Sequence, residues 1–126
     1  MAKSRREIGL EKIDEVYAGD VVVPPEGTVP FTDLMLEQVF AEVWTRGELS
    51  MRDRRLLILG AIAAQGAKDA WLVQVRAALK KGELTQAQLH EVFVQLAQYV
   101  GYPRLAGLIT DSLRVMGEVA AEQAKE

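Results

Sequence analysis

The sequence predicts an all-α protein of about six helices, and three observations carry that prediction. Apolar residues recur at three- and four-residue spacing through most of the chain. Glycines, prolines and Ser/Thr capping signals fall between those stretches, where helices should stop and start. No segment alternates with a period of two and β-branched enrichment except Val21-Val22-Val23, which Pro24 and Pro25 stop.

The first helix is predicted from about Arg6 to Tyr17, with Ile8, Leu10, Ile13 and Val16 on one side and Gly19-Asp20 at its end. Gly19 to Thr32 then reads as a strap stiffened by Pro24, Pro25 and Pro30, lying across another surface. The second helix should start at Thr32 or Asp33, both good N-caps, and bury Leu36, Val39, Phe40 and Val43 before Gly47. A Ser50/Asp53 capping pair opens the third, whose stretch Leu56 to Ala64 is apolar almost all round, the mark of a central helix.

The fourth helix is expected from about Lys68 to Lys81, with Trp71, Leu72, Val75, Ala78 and Leu79 inward and Gly82 after its end. Thr85 and Gln88 form a capping box for the fifth, which carries Leu89, Val92, Phe93, Leu96, Ala97 and Val100 to Gly101. Pro103 suits the first turn of the sixth, with Leu105, Leu108, Ile109, Leu113, Met116 and Val119 on its stripe and a solvated charged end after Gly117. The expected core is Leu57, Leu59, Ile62, Leu72, Val75, Leu79, Val92, Phe93, Leu96, Ile109 and Leu113.

At 126 residues, 49% hydrophobic and 26% charged, the chain fits one domain, residues 1–32 being helix and strap and residues 33–126 the helical core. Fifteen Lys and Arg against eighteen Asp and Glu give a net charge of -3 with no basic block, which argues against a nucleic-acid surface. Zero cysteines remove disulfides, thiolate nucleophiles and thiolate metal ligands together. With His90 the single histidine and no carboxylate cluster in view, no metal is expected. The start of the chain lacks the apolar stretch of a signal peptide, and no apolar run reaches the roughly 20 residues that span a bilayer. Cytoplasmic residence without membrane attachment is the expectation.

Four pieces, in order, resemble the carboxymuconolactone decarboxylase family: Glu42-Val43-Trp44-Thr45-Arg46-Gly47, Leu49 to Leu56, Arg76 to Gly82, and Glu91 through Tyr99-Val100-Gly101-Tyr102-Pro103. The resemblance implies the alkylhydroperoxidase D-like helical fold, assembly as a trimer or hexamer, and a site near subunit contacts. It also implies cofactor-free lyase chemistry on a carboxylated lactone in aromatic-compound catabolism. In the related peroxidase branch a Cys-x-x-Cys pair is followed four residues later by His. Those positions match Ala67, Ala70 and Gln74 in this chain. An alanine methyl group can neither attack a peroxide nor form a disulfide, so thiol-peroxidase chemistry is excluded. The decarboxylase branch commonly has a carboxylate near position 70 and a histidine at 74, and both are replaced here.

The remaining candidates each have a structural reading beside the functional one. Gln74 should share the inward side of the fourth helix with Trp71 and Ala78, bonded either to a ligand or to a neighbouring helix. At least one of Arg54 and Arg55 should approach the core, and an enclosed guanidinium needs a carboxylate. For Arg54, which matches the family's arginine, that partner is expected to be Glu42 or Glu91; Arg55 departs from the family pattern and is the anion-anchor candidate. His90, on the flank of the fifth helix, carries the side-chain type ordinarily suited to proton transfer near neutrality, but a partly exposed surface histidine is the expected reading. Glu91 and Tyr99 match the family motif and are the candidate proton donors, or else helix-to-helix bonding groups. Trp44 is a candidate substrate contact or, like Trp71, a core or subunit-contact anchor.

Two functions follow. One is a cofactor-free lyase or isomerase on a small anionic lactone or acid; the other is a non-catalytic oligomeric or ligand-binding relative. The geometry around Arg54, Arg55 and Gln74 should discriminate them, an arginine paired within a closed core favouring the second.

Overall fold

A computed structural model describes residues 2–126. In chain order the helices are α1 (Arg5–Val16), α2 (Pro30–Met35) continuing into a π-helix (Leu36–Val43), α3 (Met51–Gln65), α4 (Lys68–Lys80), α5 (Gln86–Val100) and α6 (Tyr102–Ala124). The described residues contain no strand, so the all-α class stands. The chain divides into two compact units, Met1–Met51 and Arg52–Glu126.

In the N-terminal unit α1 packs on the π-helix. Ser4 caps α1 by accepting from the Glu7 N–H at 3.1 Å. Gly9 is buried because the two backbones nearly touch there: a Cβ on it would lie 2.2 Å from the Leu36 carbonyl oxygen. Gly9→Ala should therefore push α1 off the π-helix and cost this unit roughly 3 kcal/mol, as overpacking does. Hydrogen exchange that quickens across α1 and the π-helix is the expected readout, and unchanged protection would remove the close approach from the account.

The second helix departs from its predicted form. It begins at Pro30, earlier than Thr32 or Asp33, and Asp33 is used otherwise: its carboxylate pairs with Arg6 at 2.8 Å and accepts from the Gly27 N–H at 3.1 Å. Arg6 also donates to the Pro24 carbonyl, so the strap is tied back onto its own unit. From Leu36 the helix widens, and the Trp44 N–H bonds five residues back to Val39. The wider turn puts Leu36, Phe40 and Trp44 on the buried side and leaves Val39 and Val43, expected inside, at 39% and 49% exposure. Phe40 stacks on Trp44 and meets Tyr17 edge-on.

The C-terminal unit holds the main core, built from Leu59, Trp71, Val75, Leu79, Leu89, Phe93, Leu105, Leu108, Met116 and Val119 among others, with Ile62, Leu72, Val92, Leu96 and Ile109 packed at its edge. Two of the expected core residues are outside it. On α3 a single stripe, Arg55, Leu59 and Ala63, is buried, and Leu57 lies about 200° round the helix from Arg55, 63% exposed. On α6 Leu113 sits one step off the stripe that contains Ser112, Val115 and Met116, 47% exposed. Within one chain α3 is thus a one-faced helix and not the all-round buried one expected.

The predicted capping box of α5 is present in both directions, Thr85 to Gln88 and back. Gly101 joins α5 to α6 at φ 106°, a conformation that disfavours a side chain, and Pro103 occupies the first turn of α6 as expected. The end of α6 does more than meet solvent: Val119 is buried, and Glu118 and Glu122 pair with Arg76 of α4. Nearer its start, Lys68 bonds Asp111, and that hydrogen bond and charge hold the Asp111 carboxyl below the usual carboxylate range.

Candidate functional site

Buried polar groups mark the places where an apolar core holds something it must satisfy, and Arg55, Gln74 and Ser112 are the buried ones here. Ser112 is accounted for by packing. It accepts from the Trp71 indole N–H at 2.7 Å and donates to the Leu108 carbonyl, so the largest core side chain has its polar atom satisfied.

Arg55 and Gln74 belong to one cluster. The helical stripe that buries Leu59 and Ala63 carries Arg55 inward at 0% exposure, and the stripe of α4 that buries Trp71 and Ala78 carries Gln74 inward at 3%. Arg55 Nη1 donates to Gln74 Oε1 at 2.7 Å. Arg55 Nε and Nη2 reach the two carboxylate oxygens of Glu83 at 2.8 and 3.2 Å, a two-pronged ion pair whose acidic side chain is only 9% exposed. Glu83 stands between α4 and α5, beside the buried Leu84. Its backbone is used as well: its carbonyl accepts from Arg52 Nε at 2.9 Å.

Glu83 escaped the sequence reading, which took the residues around Gly82 as a helix stop. The available signal was the need itself. An arginine on an apolar stripe requires a carboxylate, and Glu83 precedes an apolar residue in a short connection that must fold back over the core. No local spacing ties residue 83 to residue 55, so only that requirement could have suggested it.

His90, Glu91 and Tyr99 do not join this cluster. His90, on α5, is exposed and meets Phe93 edge-on with ring centroids 5.6 Å apart. Glu91 is exposed and Tyr99 is 84% exposed. Arg54 is half-buried on the first turn of α3. Glu42, one of its expected partners, pairs with Arg5 at 3.1 Å. Trp44 is a buried anchor of the N-terminal unit. Ala67 is the N-cap of α4 and Ala70 is exposed on its first turn. Among the described residues no group of three or more His, Asp or Glu side chains could hold a metal ion.

Two concavities lie on the C-terminal unit. One, of about 180 Å³, is lined by Phe93, Ala97, Tyr102, Leu105 and Ile109 and is apolar. The other, of about 310 Å³, runs between α3 and α5 and is bordered by Arg52, Leu56, Leu84, Gln88, Glu91 and Gln95.

The sequence profile of the carboxymuconolactone decarboxylase family matches residues 30–109, well over half of the chain. The chain belongs to that family. The match spans α2 to the first third of α6, and so includes Arg55, Gln74 and Glu83 as well as the two concavities. A search of curated proteins finds no match. As a carboxymuconolactone decarboxylase family member, this chain is all-α among its described residues and has no cysteine. Within the matched region the carbonyl of Gln74 is bound to a buried arginine.

Proposed function

We propose that this chain is a non-catalytic, self-associating member of the carboxymuconolactone decarboxylase family that binds a small ligand. The observation that carries the reading is the state of Arg55. Its guanidinium is fully buried and each of its three nitrogens bonds Glu83 or Gln74, so the charge that would hold a substrate carboxylate is spent inside the protein. The candidate proton donors His90, Glu91 and Tyr99 are exposed and lie apart from the buried Arg55–Gln74–Glu83 cluster. The chain has no cysteine for the thiol chemistry of the peroxidase branch.

Family membership favours a second reading, a cofactor-free carbon-carbon lyase of aromatic-compound catabolism acting on a carboxylated lactone. A panel of lactones and aromatic-ring-cleavage acids, followed by turnover and by thermal shift, separates the two. The first reading expects no turnover above the buffer rate; saturable turnover of any lactone would replace it with the second.

Self-association, as a trimer or hexamer, is supported by apolar side chains that neither unit covers. Val22 and Phe31 are 92% and 78% exposed in the N-terminal unit, and Leu57 is 63% exposed on α3. Light scattering at micromolar concentration should report an oligomer, and a monomer alone would refute this part of the proposal. No described helix is long and apolar enough to cross a membrane, and we assign the protein to the cytoplasm.

A further inference from the structure

The groove between α3 and α5 is lined by Arg52, Leu56, Leu84, Gln88, Glu91, Val92 and Gln95. Arg52 and Leu84 lie at one end, because Arg52 Nε is anchored on the Glu83 carbonyl. Farther along, a Cβ on Gly60 of α3 would lie 3.7 Å from Leu96 of α5, so the two helices run in the same direction and residue numbers rise together along the groove. Glu91 and Gln95 therefore stand toward the end away from Arg52, with Leu56, Leu84 and Val92 as the apolar floor between. From Gln88 to Gln95, both on α5 and both lining the groove, is seven residues, about 10 Å of helical rise.

The polar groups at the two ends are held differently from those of the core. The one bond on Arg52 fixes the plane of its guanidinium and leaves both terminal nitrogens for an outside acceptor. Glu91 and Gln95 have no protein partner among the described residues, and Arg52 and Glu91 do not pair with each other. Gln88 gives its carbonyl oxygen to the Thr85 N–H and keeps its amide donor. A volume of about 310 Å³ is at the small end of the range for organic ligands.

We infer that this groove is a binding site for a small monocarboxylate about 10 Å long, with an apolar body and a hydrogen-bond donor at its far end. Arg52 takes the carboxylate with its free fork, Leu56, Leu84 and Val92 take the body, and Glu91 accepts from the distal donor. The cation sits at one end and the carboxylate at the other, so a second carboxylate on the ligand would meet Glu91 and be repelled. The anion anchor is thus one helical turn before Arg55, at a residue whose own anchor is the backbone of the same Glu83 that occupies Arg55. This inference rests on the ligand-binding part of the proposed function and not on the absence of turnover.

The test uses the full chain, isotope-labelled, with 3-(4-hydroxyphenyl)propanoate as the probe and its methyl ester and 3-phenylpropanoate as comparators. Saturable amide shifts should appear at Leu56, Leu84, Gln88, Val92 and Gln95 with the phenol acid, and none with the ester. Arg52→Gln should weaken the acid by at least about tenfold, the size of one charge-assisted pair. Glu91→Gln should weaken the phenol acid more than 3-phenylpropanoate, which has no donor to lose. Both residues are exposed, and unchanged thermal melting of the variants keeps a folding loss from imitating a binding loss. Shifts centred elsewhere, no saturation, or equal affinity in Arg52→Gln would overturn the site. Conversion of the probe in the same tube would overturn the non-catalytic reading and leave the site standing.

Discussion

Glu83→Ala is expected to cost about 3–5 kcal/mol, because it leaves the fully buried Arg55 guanidinium without its carboxylate. The Gln74 carbonyl would remain on one nitrogen, but a neutral acceptor does not replace a charge partner in a core. Urea unfolding measured by circular dichroism gives the number, and the loss should be seen as a lower midpoint with little change in slope. A loss under about 1 kcal/mol, the scale of a surface ion pair, would show that the pair is solvated and that the cluster is looser than described.

Trp71→Ala should cost a comparable amount, about 3–5 kcal/mol for the cavity alone, with a further penalty from Ser112 losing its indole donor. Trp71 is fully buried against Phe93 and has the largest side chain in the core. Trp71→Phe separates the two contributions, since it keeps most of the ring volume and removes only the N–H. The expected order of stability is wild type, then Phe, then Ala. An Ala variant as stable as the Phe variant would mean that the core closes over the gap.

The fold was legible in the sequence wherever a signal is local. The Thr85/Gln88 box, Pro103 in the first turn of α6 and the stripes of α4 and α5 each depend on residues three or four apart, and each is present. Where geometry departs from the regular α period, the spacing misleads. The π-helix from Leu36 moved Val39 and Val43 outward although their positions suit an α-helix. Leu57 and Leu113 are apolar residues on faces that one chain leaves uncovered, and composition alone does not say which face meets a neighbouring element.

The candidate site was legible in part for a similar reason. That Gln74 faces inward, and that an arginine on α3 is enclosed, both follow from helical phase. That Glu83 closes the cluster does not, because a contact across 28 residues is set by how α3, α4 and the connection after α4 pack together. The same connection supplies a backbone carbonyl to Arg52, which orients a residue that the sequence did not mark as a site candidate.

The central claim is that Arg55 and Glu83 are a structural pair sealed inside the protein, and a double-mutant cycle with Arg55→Met and Glu83→Leu tests it most directly. Each single variant leaves one buried charge, whereas the double variant leaves an apolar patch of similar volume beside Gln74. Single losses of about 3–5 kcal/mol are expected, with the double variant recovering most of the deficit. If instead the losses add, and Arg55→Met alone leaves stability intact while abolishing carboxylate binding, Arg55 is a ligand anchor and the structural reading of the cluster is wrong.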